Sequence, residues 1–244
     1  MESSPLRACR VGPVTTTPSP GLQRRVVAEF LGSVFLAAVV IGSGIAAQQL
    51  SPADSGLQLL ENTIITGAGL FALISLFGPL SGAHFNPVVT LTDAVFRGIG
   101  WRDACFYIPA QITGCISGAM LANFMFALPA ISWSQHHRIT GPHFVSEIVA
   151  TVGLLLVIFG LTRSGKSSTT PAGVATYIMA AYFFTSSTSF ANPAITVGRM
   201  FSNTFAGIAP SSAPGFIGAQ LLGMVLAVAL VTYLWPRQSS SELN

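Results

Sequence analysis

Charge is what this 244-residue chain has least of: charged residues make up 8% of it, eleven Lys and Arg against eight Asp and Glu. Soluble domains carry about 25% charged residues. With 51% hydrophobic residues and a mean hydropathy of +0.65, the outer surface has to face lipid rather than water. Cysteine is scarce as well. Cys9, Cys105 and Cys115 have no metal-ligand spacing, and the last two fall on one predicted helix, which argues against a disulfide framework and for buried thiols. The four histidines, His84, His136, His137 and His143, fall in loops, again without ligand spacing. No nucleophile, metal cluster or cofactor loop is visible, so neither an enzyme nor a cofactor is expected. The pI near 9.0 does not point to nucleic acid, because the basic residues lie between apolar runs and not along one face.

What is there is apolar length. About 20 such residues cross a bilayer, and six segments can be drawn, near 25–48, 58–80, 103–128, 143–162, 171–188 and 213–235. Residues 1–23, rich in Pro, Ser and Thr, read as a disordered N-terminal tail, and 237–244 as a polar C-terminal tail. With both termini cytoplasmic, Arg7, Arg10, Arg24, Arg25, Arg97, Arg102, Arg163, Lys166 and Arg237 share one side, and only Arg138 and Arg199 take the other. That asymmetry sets the expected orientation in a cell membrane.

Two short stretches, His84-Phe85-Asn86-Pro87-Val88 and Phe190-Ala191-Asn192-Pro193-Ala194, echo each other 106 positions apart, 192 minus 86. The apolar segments they open, 86–96 and 192–203, are too short to cross and read as re-entrant half-helices. The echo extends further. Glu29 and Glu147 lie early in the first and fourth spans, and Gln111 and Gln220 lie in the third and sixth within Ala-Gln-x-x-Gly. Each half, about 24–128 and 142–236, therefore contains three spans and one half-helix. Three is odd, so the second half is inverted relative to the first, with the site near the midplane between them. The expected fold class is an all-α membrane protein of six transmembrane helices and two re-entrant half-helices in an inverted 3+3 repeat.

Asn and Pro suit the start of such a half-helix. The Asn side-chain oxygen caps the first turn, and Pro at the first helical position has no N–H to leave unpaired. The Asn amide remains to donate into a pore, and the two facing helix ends place positive charge at the midplane, which opposes cations. Glu29 and Glu147, with His84 beside the first motif, are expected to support the irregular backbone ahead of each half-helix; proton transfer is the competing role for the glutamates.

Ser81-Gly82-Ala83-His84-Phe85-Asn86-Pro87 followed by Val88-Val89-Thr90, together with the second Asn-Pro and the paired glutamates, resembles the aquaporin and aquaglyceroporin (major intrinsic protein) family over about 24–236. The resemblance implies a passive channel for small-molecule solutes, set in a lipid bilayer as a homotetramer, with Asn86, Pro87, Val88, Asn192, Pro193 and Ala194 at the pore midplane. Val88 stands where that family usually has Ala, and either narrows the pore or packs. The resemblance also implies an outer filter at Thr66, Ala180, Ser189 and Ile195, counted from the two Asn residues. Ile195 replaces the family's usual Arg, as in bacterial members near arsenic-resistance genes. The expected solutes are therefore polyols, metalloid acids such as arsenous acid, and methylated arsenicals. An ordinary water or glycerol channel and a non-conducting membrane scaffold are the competing readings. Arg199, one helical turn beyond Ile195, either charges the outer vestibule or caps carbonyls at the half-helix end.

Overall fold

Length sorts the helices into two kinds. In the computed structural model, which describes residues 20–236, the elements are α1 (Leu22–Leu50), α2 (Ser55–Ser81), α3 (Pro87–Val95), α4 (Trp101–Met125), α5 (Gly141–Arg163), α6 (Thr170–Phe184), α7 (Pro193–Arg199) and α8 (Ala213–Leu234), with a single 3-10 turn at Ser167–Thr169. α1, α2, α4, α5 and α8 are each long and apolar enough to cross a membrane. α6 has 15 residues, a rise of about 22 Å at about 1.5 Å per residue. The structure thus ends the fifth span at Phe184 instead of 188. Beyond it Thr185 is extended and the chain enters the loop in which Ser187 Oγ donates to Glu147 at 2.6 Å.

α3 and α7, of nine and seven residues, are the half-helices. Both are shorter than the segments 86–96 and 192–203 drawn from sequence. The predicted tail also loses residues: Leu22 and Gln23 belong to α1. The remainder of that tail up to residue 19, and the C-terminal tail, lie outside the described residues.

The two halves pack alike. α1 lies against α2 and α4, and α5 against α6 and α8. The first crossing is close because Gly114 faces the Phe30 carbonyl, where a Cβ would stand only 2.6 Å away. Gly223 meets the Ile148 carbonyl in the same way, at 2.9 Å. Each glycine sits three residues after the repeated glutamine, and small residues at such crossings let membrane helices approach without a hydrophobic driving force. The halves join through α2 against α6, α4 against α7 and α3 against α8. Large apolar side chains such as Phe35, Leu76, Phe124 and Val225 are left on the outside, where lipid would meet them. The face carrying residues 20 and 236 is called the terminal face below, and the opposite one the far face.

Candidate pore and filter

Both half-helices begin on an asparagine. Asn86 is extended, and its Oδ1 accepts from Val88 N at 3.1 Å. Asn192 is extended too, and accepts from Ala194 N at 2.9 Å and Ile195 N at 3.2 Å. Each proline follows at the first helical position, where no N–H is required. The amide nitrogens are not wholly free, as sequence reasoning had them. Asn86 Nδ2 donates to the Ala191 carbonyl at 2.8 Å, and Asn192 Nδ2 to the Phe85 carbonyl at 2.9 Å. Each asparagine braces the opposite loop with one N–H and keeps the second for the cavity it lines.

The loops that lead into these caps repeat in backbone detail. Gly82, Ala83 and Phe85 have positive φ, as do Thr188, Ser189 and Ala191. All six fall four, three and one residues before their asparagine. Backbone folded this way turns its N–H groups inward, and a buried carboxylate receives them. Glu29 accepts from Ser81 Oγ (2.6 Å), His84 N (3.0 Å), Phe85 N (2.7 Å) and Gln111 Nε2 (2.8 Å). Glu147 accepts from Ser187 Oγ (2.6 Å), Phe190 N (2.9 Å), Ala191 N (2.9 Å) and Gln220 Nε2 (2.7 Å). Every partner is placed to donate and both side chains are fully buried, which is how an acid can lie inside a span. His84 Nδ1 lies 3.1 Å from Thr90 Oγ1, and its Nε2 lies 3.5 Å from Asp93 Oδ2 on the terminal side of the cavity.

One cavity of about 680 Å³ runs between the half-helices, with Ser167, Ser168 and Thr162 in its wall toward the terminal face and Phe190 and Arg199 toward the far face. Its walls are stripes of helix residues four apart: Thr66, Leu70, Ile74 and Gly78 on α2; Leu154, Ile158 and Thr162 on α5; Thr170, Val174, Ile178 and Tyr182 on α6. That spacing keeps one helix face on the cavity. Asn86 and Asn192 lie in the middle, each followed three residues on by an aliphatic wall residue, Val89 and Ile195.

Of the four filter positions, Thr66, Ser189 and Ile195 line the cavity, and Ala180 does not. Ala180 is exposed on the outside of α6. The correction is geometric: two residues turn a helix by about 200°, so the stripe through Ile178 and Tyr182 turns Ala180 away. Tyr182 lines the cavity instead, its hydroxyl 3.4 Å from Thr66 Oγ1. The spacing of 174, 178 and 182 was the available sequence signal. Ser189 Oγ is buried with no hydrogen-bond partner. Val88 packs, buried and off the cavity wall, as do Pro87, Pro193 and Ala194. Arg199 does not reach out into solvent. It is 3% exposed, lines the cavity, donates through Nε to the Ala206 carbonyl, and has its guanidinium carbon 3.4 Å from the centre of the Phe190 ring. In the far-face loop, Arg138 holds the carbonyls of Gly207 (2.6 Å) and Phe205 (2.7 Å). Its neighbour His136 has a pKa below the ordinary value through burial and then through the Arg138 charge.

A polar midplane inside a lipid-facing helical bundle, entered from both faces by half-helices, defines a multi-pass membrane channel. The chain belongs to the major intrinsic protein family, whose model (Major intrinsic protein) matches residues 16–190. It is 50% identical over 214 residues to Aquaglyceroporin AqpS of Rhizobium meliloti (strain 1021), covering 87% of this chain and 91% of that one. It is 33% identical over 175 residues to the glycerol uptake facilitator protein of Pseudomonas aeruginosa, covering 62% of each. Among solved structures, the aquaglyceroporin from Plasmodium falciparum superposes with a TM-score of 0.67 over 88% of this chain and 96% of that one, at 20% identity, and shares its fold. Members of the family are channels, and this chain is a channel rather than an enzyme.

Proposed function

We propose that the chain is a passive channel for small uncharged or polar solutes: glycerol-like polyols and metalloid acids such as arsenous acid, with methylated arsenicals among the candidates. The observation that carries this reading is Ile195. An aliphatic side chain lines the cavity three residues after Asn192, beside the small polar Thr66 and Ser189. A solute passing there loses water to hydroxyls and apolar wall, not to a charged filter group. The names of the two relatives, an aquaglyceroporin and a glycerol facilitator, support the polyol part. At the midplane, the second N–H of each asparagine offers a passing hydroxyl a donor, and the two half-helix N-termini, each worth about half a positive charge, oppose cations.

A competing reading, an ordinary water and glycerol channel, is favoured by one observation: Tyr182 puts an aromatic ring across from Thr66. The reading includes a homotetramer in the cell membrane with the terminal face cytoplasmic, consistent with Arg24, Arg25, Arg97, Arg102, Arg163 and Lys166 clustering on that face. Proteoliposome flux of water, glycerol, urea, arsenous acid and methylated arsenicals tests it. Passage of arsenous acid and glycerol is expected, and fast water flux with exclusion of both would refute the reading. Ile195→Arg is expected to cut the flux of the larger solutes and spare water.

A further inference from the structure

Arg199 is a charge without a counter-charge. A guanidinium taken out of water needs an ionic partner or a full set of hydrogen bonds, and this one is 3% exposed with Nε alone bonded, to the Ala206 carbonyl. Its two terminal nitrogens have no hydrogen-bond partner among the described residues, and the side chain forms part of the cavity wall. The ion pairs among those residues are Arg25 with Asp103 and His84 with Asp93, and neither involves it. The groups that bear on it electrostatically are Tyr182, Arg138 and Glu147. Glu147 is not available, since four donors already occupy its two oxygens. Arg138 adds a second positive charge against the same ring, 5.6 Å from the Phe190 centroid, and spends its own donors on two carbonyls.

We infer that the far mouth of the pore holds a binding site for a small monovalent oxyanion, with Arg199 as its principal ligand. Phe190 fixes the plane of the guanidinium and the Ala206 carbonyl fixes its rotation, so the two terminal nitrogens form a pre-set fork. Such a fork matches two oxygens of a planar oxyanion at once. A spherical halide satisfies only part of this arrangement, and cations are repelled. The site lies in the solute path, so an anion seated there obstructs neutral solutes entering from the far face; that consequence rests on the channel reading, while binding itself does not.

The probe is formate, with chloride at equal ionic strength as the control. Thermal unfolding of the purified protein in detergent is expected to shift upward and saturate with formate but not with chloride. The shift is expected to weaken in Arg199→Lys, which keeps the charge without the fork, and to vanish in Arg199→Gln. In proteoliposomes, glycerol flux should fall about tenfold at a formate concentration about ten times its dissociation constant, following site occupancy. Absence of a formate-specific shift in the unsubstituted protein overturns the inference without any variant having to fold, and so does an undiminished shift in Arg199→Gln. A formate shift in a protein that passes no glycerol would uphold the site and refute the polyol reading instead.

Discussion

Replacing Glu147 by glutamine tests what holds the second half-helix in the middle of the membrane. The change is nearly isosteric and swaps one acceptor oxygen for an NH₂ donor. Oε1 accepts from Ser187 Oγ and Phe190 N, and Oε2 from Ala191 N and Gln220 Nε2. Whichever way the amide turns, two of the four donors face another donor. Two bonds to a charged acceptor are lost, each worth about 1.5–3 kcal/mol. The side chain is fully buried, so solvent does not soften the loss, and the expected cost is about 3–6 kcal/mol. Against a total stability of about 5–15 kcal/mol that is a large fraction of the margin. The assay is unfolding of the purified protein in micelles, with hydrogen exchange of the Phe190 and Ala191 amides as the local readout. Exchange of those two amides should accelerate before global unfolding, because the positive φ at Thr188, Ser189 and Ala191 is held only against a filled carboxylate. Glu29→Gln should behave alike, since it disturbs the same four kinds of partner. Unchanged unfolding with both amides still protected would refute the reasoning and leave Glu147 free for another role.

Two further outcomes follow from the cavity and the helix crossings. Tyr182→Ala should raise the flux of solutes larger than water, while Ala180→Leu on the opposite face of α6 leaves flux unchanged; equal effects of the two in a proteoliposome assay would put the wall stripe in the wrong place. Gly198→Val should lower the yield of folded protein by size-exclusion chromatography, because even a Cβ there stands 2.6 Å from the Cys115 carbonyl, and normal recovery would contradict the tight packing of α7 on α4.

The spans, the paired half-helices and the buried glutamates were legible because each leaves a local mark: apolar length, an Asn-Pro pair, an acid in an apolar run. The partners of Glu29 were not, since all four are reached 52, 55, 56 and 82 positions away in the chain. Ala180 shows a different failure. Counting back from Asn192 carries a residue number across the loop 185–191, but the pore reads α6 by its rotation, and the turn there sets Tyr182 inward. Arg199 was visible as a charge one turn past Ile195. Its burial was not, because the Phe190 ring and the Ala206 carbonyl that hold it are brought in by the returning loop.

The reciprocal amide bonds between the two asparagines and the opposing loops span 105 and 107 positions. A chain emerging from the ribosome delivers Asn86 well before the Ala191 carbonyl exists. The first half-helix must therefore wait, with its cap made and its brace missing, until residue 191 of the 244 has been added. Completion of the channel is thus a late event that locks both halves at once. A chain stopped just before Asn192 carries the wall stripes of α2, α5 and α6 and no closed midplane.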